Sequence, residues 1–193
     1  MNIIKETTSY ILEIKKSEFI SIIYFVKNKE EVNNYLNITK NKYKDATHYC
    51  YAYIIDNNIY CSDNGEPAKT AGLPILNIIK KNSLNYTLII VIRYYGGIKL
   101  GTGGLIRAYT SASKNLLKKT ELINIIPGIL IQITVPYDKQ AIIEKIISNK
   151  QIKEKTYLKE VTYLIETTKE ELTKIPIPYQ IINNNIYIKT NKR

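Results

Sequence analysis

Five of the eight glycines in this chain lie between Gly96 and Gly104, within the stretch RYYGGIKLGTGGLIRAY at residues 93–109. Glycine loses more backbone entropy on folding than any other residue, so such a cluster indicates a sharp turn or a close approach of the backbone to another group. The apolar run YTLIIVI that precedes it is typical of a buried strand. After the cluster, apolar residues recur at the spacing of an amphipathic helix, namely Leu105, Ala108, Tyr109, Ala112 and Leu116. The pattern predicts a strand, a glycine loop and a helix, in that order.

This arrangement allows two interpretations. In the first, the loop brings free N–H groups to a helix N-terminus, where an anion binds. The residues predicted to face a phosphate are Arg93, Lys99, Gly101, Thr102, Gly103, Gly104 and Arg107, with Lys114 and Lys118 extending the surface. In the second, the glycines only allow the helix to pack closely on the strand. A Walker A motif is excluded because Thr102 stands where that motif requires lysine, and the spacing G-x-G-x-x-G is absent.

The basic residues are unevenly distributed along the chain. Residues 67–120 contain nine lysines and arginines and no aspartate or glutamate, in a chain of formal net charge +11. A segment this one-sided favours an anionic partner, either RNA or the acidic face of another protein. A solvated surface in a lysine-rich chain is the alternative interpretation. The clustering argues against it, because compositional bias would spread the lysines evenly.

The periodicity of apolar residues predicts an α+β fold with two domains, residues 1–126 and 127–193. In the first domain, strands are expected at 9–15, 18–26, 48–55, 58–62 and 86–92, and helices at 29–42, at 70–81 and from 104 onward. Thr70 is the expected N-cap of the helix over 70–81. The sequence Ile126-Pro127-Gly128 marks the boundary. After it, the predicted order β-α-β-β-α-β is that of a ferredoxin-like domain.

Several features bear on the compartment of the protein. The N-terminal residues lack the apolar core of a secretory signal. No apolar run approaches the roughly 18 residues that a membrane span needs. Two cysteines, Cys50 and Cys61, are too few for a disulfide framework. These features predict a cytoplasmic protein that does not contact membranes.

A second group of polar side chains lies before the basic segment. His48, Cys50 and Cys61 offer three soft ligands, but a structural zinc site normally has four with paired-cysteine spacing, so no metal is predicted. Asp63 and Glu66 share the turn SDNGEP, and paired carboxylates can do acid–base work or hold magnesium beside phosphates. An Asx turn that places Glu66 near the next helix is the favoured interpretation. The candidate residues of a groove are therefore His48, Asp63, Glu66, Tyr94 and Tyr95, of which the tyrosines would stack on bases.

Four stretches together resemble the YigZ/IMPACT family. They are KKSEFI at 15–20, DATHYCYAY at 45–53, SDNGEPAKTAGLPIL at 62–76 and IRYYGGIKLGTGGLIRAY at 92–109. The resemblance implies an N-terminal α/β sandwich like the second domain of a small-subunit ribosomal protein. It also implies a C-terminal ferredoxin-like domain similar to the last domain of elongation factor G. Eukaryotic members of the family regulate translation by competing for a scaffold protein that a stress-response kinase needs, and bacterial members are associated with translation or nucleic acid.

Three positions depart from the pattern of the family. Tyr49 stands where members often have asparagine, Asn64 where they often have a second aspartate, and Leu73 where they often have arginine. The missing acidic group weakens a metal-site interpretation. Leu73 removes one basic contact.

The sequence thus predicts a non-enzymatic protein, without cofactor, that binds RNA or a ribosomal complex and regulates translation. Two other classes remain open. The same ribosomal-protein-like fold carries phosphotransferases, so an enzyme that acts on a phosphorylated small molecule is one alternative, since fold alone does not determine function. A protein adaptor whose basic face meets an acidic partner is the other.

Overall fold

The structure is a computed structural model that describes residues 1–148 and 150–190. Its first part is built around one apolar strand, Thr87–Tyr94. The elements there are β1 (Asn2–Ile4), β2 (Thr8–Ile14), β3 (Ser17–Phe25), α1 (Lys29–Lys42), β4 (His48–Ile55), β5 (Asn58–Ser62), α2 (Gly72–Lys81), β6 (Thr87–Tyr94) and α3 (Gly101–Lys119). A five-stranded antiparallel sheet has the order β2-β3-β6-β4-β5. Seven of the eight residues of β6 are buried, because the central strand is covered on both faces.

The two faces of this sheet carry different helices. On one face, Ile89 and Val91 of β6 pack in a core with residues of α2 and α3. On the other face, Ile90 and Ile92 pack in a separate core with residues of α1. Successive side chains of a strand point to opposite faces, so the continuous apolar run serves both cores. The predicted helix over 29–42 and the predicted strands over 48–55 and 58–62 have the same bounds in the structure.

The starts of two helices differ from the predictions. Helix α2 begins at Gly72, and its N-cap Ala71 makes no side-chain capping bond, so Thr70 is not the N-cap. The Thr70 hydroxyl instead donates to the carbonyl of Pro67 at 2.6 Å. Helix α3 begins at Gly101 rather than Gly104, which shortens the glycine loop to residues 95–100. Gly72 and Gly101 are thus the first residues of their helices.

The second part of the chain contributes four strands to the second sheet of the protein. Its elements are β7 (Leu122–Val135), a 3₁₀ turn (Tyr137–Lys139), α4 (Gln140–Ile147), β8 (Gln151–Tyr157), β9 (Val161–Thr167), α5 (Lys169–Leu172) and β10 (Gln180–Lys189). The antiparallel order is β10-β7-β9-β8. The inward residues Ile131, Ile133, Tyr163 and Ile165 form a core with Ile143 and Ile147 of α4. The protein is therefore a mixed α/β structure with antiparallel sheets.

The division between the two compact units falls between residues 123 and 124. The sequence Pro127-Gly128, which predicted a boundary at 126/127, lies within β7 and pairs with β10. A Cβ atom on Gly128 would lie 2.7 Å from Cγ2 of Ile188, and the pairing is irregular at this point. Pro127 and Gly128 are therefore paired strand residues, next to a register shift between Asn183 and Ile186 of β10. Among residues 1–148 and 150–190, no helix is long and apolar enough to cross a membrane.

Candidate functional site

A cavity of about 280 Å³ lies at the beginning of α3. The residues that line it are Glu66, Pro67, Arg93, Tyr95, Lys99, Leu100, Gly101, Thr102 and Leu105. It thus brings together the acidic turn, the end of β6 and the glycine loop, three segments that the sequence separates by up to 39 positions. Six of the predicted phosphate-facing and groove residues line it, namely Glu66, Arg93, Tyr95, Lys99, Gly101 and Thr102.

The first turn of α3 offers unpaired N–H groups to this cavity. The N-cap Leu100 makes no side-chain capping bond, and the first turn contains no acidic residue. Among the described residues, the amides of Gly101, Thr102 and Gly103 therefore have neither an intrahelical acceptor nor a side-chain cap. Gly101 itself has φ +69°, a conformation that favours glycine. The helix start is suited to an anion, and Lys99 adds a formal positive charge beside it.

Arg93 differs from the prediction of an open, phosphate-facing side chain. It is only 5% exposed, and its Nη1 donates to Oε1 of Glu66 at 2.7 Å. Its guanidinium carbon also lies over two rings, 5.4 Å from the centroid of Phe19 and 5.3 Å from that of Tyr95. Successive side chains of β6 point to opposite faces of the sheet, so Arg93 points to the same buried face as Val91. Among the described residues, its buried Nε has no hydrogen-bond partner.

Glu66 is the centre of a buried polar network beside the cavity. Besides the Arg93 contact, its Oε1 accepts a hydrogen bond of 2.8 Å from the Tyr109 hydroxyl. Its Oε2 lies 3.8 Å from Nε2 of His48, whose Nδ1 donates to the Asn64 carbonyl at 2.9 Å. Glu66 is 8% exposed, so these partners replace the water that an ionised carboxylate requires. The network fixes Glu66 at the wall of the cavity.

Cys50 and Tyr109 stay protonated in this environment. The Cys50 thiol donates to the Asp63 carbonyl at 2.9 Å and contacts the Tyr109 hydroxyl at 3.3 Å. Burial raises the pKa of Cys50 to about 12 and raises the pKa of Tyr109 as well. A thiol in this state is not a nucleophile at neutral pH. The pair serves packing and positions the network.

Asp63 caps helix α2 from a distant position in the sequence. Its Oδ1 accepts hydrogen bonds from the amides of Ala71 and Gly72 at 2.9 and 2.8 Å, and its Oδ2 accepts one from Lys69 at 2.8 Å. Burial acts to raise the pKa of Asp63, but the backbone N–H groups outweigh it and lower the pKa below its usual value. Asp63 and Glu66 thus have separate partners. Among the described residues, no group of three or more His, Cys, Asp and Glu is placed to hold a metal ion.

Replacing Asp63 with alanine is expected to lower the free energy of unfolding by about 2 kcal/mol at neutral pH, the upper end of the range for a lost helix cap. Three amide donors lose their acceptor at once, and this loss places the effect at the upper end. Because the folded-state pKa is depressed, the stabilisation is present above pH about 4 and is lost as pH falls through the folded pKa. Denaturant titrations at several pH values measure both effects. Equal pH profiles for Asp63→Ala and the parent below pH about 5 would contradict this account.

The remaining predicted residues lie on the surface around α3. Lys99, Arg107, Lys114 and Lys118 are all exposed. On α3, Arg107, Lys114 and Lys118 recur at helical spacing and form a basic stripe away from the buried face. Of the two tyrosines, Tyr95 is 44% exposed at the cavity, whereas Tyr94 packs against the α1 core and donates to the Lys44 carbonyl. His48 borders the network through Glu66, although it does not line the cavity.

Sequence reasoning missed two polar members of the site. Ser17 accepts hydrogen bonds from Nη2 of Arg93 at 3.4 Å and from the Gly96 amide at 3.2 Å. Tyr109 was assigned to the apolar stripe of α3, and it is fully buried as predicted, but its hydroxyl binds Glu66. The sequence did offer one indication of this contact, because the hydroxyl of a buried tyrosine usually has a hydrogen-bond partner. The partner itself lies 43 positions earlier in the sequence, so spacing did not reveal it.

Comparisons with known proteins agree with the motifs. Residues 15–117 match the model of the Impact N-terminal domain. The chain is 43% identical over 109 residues to the IMPACT family member YvyE of Bacillus subtilis, across 55% of this chain and 50% of that protein. It is 32% identical over 145 residues to an IMPACT family member of Haemophilus influenzae, across 72% of this chain and 70% of that protein. The chain thus spans half the length of the Bacillus subtilis relative.

A solved structure supports the fold over a longer range. A crystal structure described as that of a hypothetical protein superposes on 90% of this chain and 87% of its own, with a TM-score of 0.65 and 27% sequence identity. The domain match covers more than half of the chain, and the Haemophilus influenzae similarity extends beyond it. The recognition made from the four motifs is confirmed. The chain belongs to the YigZ/IMPACT family.

Proposed function

We propose that the protein is a non-enzymatic regulator of translation that binds RNA or a ribosomal complex through the start of α3 and the basic stripe beside it. The observation that carries the proposal is the meeting of Lys99, unpaired α3 amides and a cavity of about 280 Å³. A phosphate in this position would accept hydrogen bonds from the amides and pair with Lys99. Membership in the family supports the role in translation, which belongs to the cytoplasm.

The proposal gives different roles to the basic residues. Arg93 is paired with Glu66, so its charge is largely neutralised, and it shapes the wall of the cavity. Lys99, Arg107, Lys114 and Lys118 are exposed and contact phosphates. Tyr95 presents an exposed ring at the cavity on which a base stacks.

We also infer the finer classification of the two units. The strand order β10-β7-β9-β8, with helices after the first and third of these strands in the chain, supports a ferredoxin-like unit. The five-stranded sheet with helices on both faces supports an N-terminal unit like the second domain of a small-subunit ribosomal protein. The proposed domains are residues 1–126 and 127–193, with a boundary three residues after the division between the two compact units.

Salt dependence tests the proposed interface. Binding of a single-stranded oligoribonucleotide is expected to weaken with salt with a slope of about −3 on logarithmic axes, at about 0.7 for each of four neutralised phosphates. Lys99→Gln and Arg107→Gln should each flatten the slope by about 0.7. The matched control is Lys42→Gln, which removes an equal charge from an exposed position on α1. Fluorescence anisotropy over a range of salt concentrations measures the slope.

The alternatives predict different results in the same experiment. If Lys99→Gln and Arg107→Gln bind RNA like the parent, the basic face instead serves an acidic protein partner. The observation that favours the enzyme alternative is the buried Glu66 at the cavity wall, with the half-buried His48 3.8 Å from its carboxylate. A nucleotide or sugar phosphate that raises the melting temperature of the parent, but not of Lys99→Gln, would support that alternative.

A further inference from the structure

A second groove lies on the sheet face opposite α2 and α3. It is formed by two adjoining cavities of about 450 and 210 Å³, which share Asn33 and Tyr51. One wall is α1 and the floor is the β4–β5 hairpin. The groove is distinct from the cavity at α3, with which it has no lining residue in common.

Tyrosine rings form the floor of this groove. Tyr51 and Tyr53 are two apart on β4 and point to the same face, and Tyr60 of β5 pairs directly with Tyr53. The Tyr60 ring centroid lies 5.8 Å from that of Tyr53, at an interplanar angle of 25°, and 5.9 Å from that of Tyr51. Tyr60 is 49% exposed, so its neighbours support one side of the ring while solvent reaches the other. An exposed ring on a rigid support is a stacking surface for a base.

The wall from α1 is polar and positively charged. Lys29, Asn33, Asn37 and Lys40 lie along one side of the helix and line the groove. The two lysines are about 16 Å apart along the axis at 1.5 Å per residue. Among the described residues, neither lysine forms an ion pair and neither amide side chain forms a hydrogen bond. No described residue that lines the groove is acidic.

These features indicate which class of ligand the groove binds. Aromatic rings bind planar bases, free amide side chains bind the edges of bases, and lysines at both ends bind phosphates. An acidic peptide would use the lysines but not the row of tyrosines and free amides. We infer that this groove binds a short stretch of single-stranded RNA, with a base on Tyr60 and phosphates at Lys29 and Lys40. The inference takes the kind of ligand from the proposed function but rests on different residues.

Photocrosslinking tests the groove directly. The probe is an oligouridylate of about 12 nucleotides, within the range of single-strand binding sites, that contains thiouridine. We expect crosslinks in β4, β5 or α1 of the full chain, and a loss of affinity of about fivefold to a hundredfold in Tyr60→Ala. Tyr60→Phe keeps the ring and should bind like the parent. Tyr157→Ala removes a tyrosine of similar exposure, 55%, outside the groove and should also bind like the parent.

The outcomes separate the groove from the α3 interface. Crosslinks confined to residues around α3, with full affinity in Tyr60→Ala, would overturn the inference and leave the proposed function standing. Groove crosslinks that persist in Lys99→Gln would support the inference even if the α3 interface were wrong. Binding of a polyglutamate peptide that Tyr60→Ala abolishes, without any RNA crosslink in the groove, would overturn the inference in favour of an acidic protein partner.

Discussion

Replacing Arg93 with alanine is expected to lower the free energy of unfolding by about 3–5 kcal/mol, the cost of breaking a buried ion pair from one side. The substitution leaves Glu66 without its closest cation in a site where the carboxylate is 8% exposed. It also removes the cation–π contacts of the guanidinium with the rings of Phe19 and Tyr95. Chemical denaturation followed by circular dichroism measures the change.

The control for this variant is Lys99→Ala at the same cavity. Lys99 is exposed, so its removal should change the free energy of unfolding by no more than about 0.5 kcal/mol. An Arg93→Ala protein as stable as the parent would show that Glu66 gains water in place of its partner. A stability loss in Arg93→Ala also means that this variant is unsuitable for measuring phosphate contacts, whereas Lys99→Gln is suitable.

Gly96→Ala is expected to destabilise the protein by more than about 4 kcal/mol, a range reached by few single substitutions. A Cβ atom at this position would lie 1.9 Å from the carbonyl oxygen of Lys16 and 2.6 Å from the amide nitrogen of Ser17. Both are backbone atoms of the β2–β3 turn, so no side-chain rotation relieves the overlap. The turn would have to move away from the end of β6, where Ser17 accepts the hydrogen bond from Gly96. Thermal unfolding and the yield of folded protein measure the effect.

Gly103→Ala is the matched control within the same glycine cluster. A Cβ atom there would meet only Nη1 of Arg107, at 3.4 Å, which is an ordinary contact with a flexible side chain. Alanine is a better helix former than glycine, so this variant should be as stable as the parent or more stable by up to about 1 kcal/mol. Equal losses at positions 96 and 103 would contradict the close approach of the loop to the β2–β3 turn.

These two glycines show which parts of the structure are predictable from the sequence. Periodicity found the helices and all strands of the first unit except β1, because each of these elements depends on residues within about ten positions. It did not find the start of α2, since the capping carboxylate is that of Asp63, eight residues before the N-cap Ala71. The glycine cluster was correctly identified as a place of close approach at Gly96, yet its partner, the β2–β3 turn, lies about 80 positions earlier in the chain.

Prediction of the candidate site from the sequence has the same limit. Basic residues near glycines predicted the surface of an anion site, and Lys99 and the start of α3 do line one cavity. The prediction treated Arg93 as equivalent to the exposed lysines, although its position two residues after Val91 on a strand directs it into the core. Its partner Glu66 comes from a turn 27 positions away. Pairing between distant segments decides which charges are free, and no local pattern encodes it.

The contacts of Glu66 also limit how this protein can diverge. Arg93 and Tyr109 both bind one oxygen of the same buried carboxylate, and each reaches it from a different element of the fold. A lineage that changed any one of the three would leave an unpaired polar group in the interior, so tolerated changes must occur together or not at all. These positions would therefore either change together or stay constant among relatives, even if the cavity bound nothing. Lys99 and Arg107 are exposed and are not constrained by buried partners. If these two residues are constant among relatives, selection for ligand binding is the explanation.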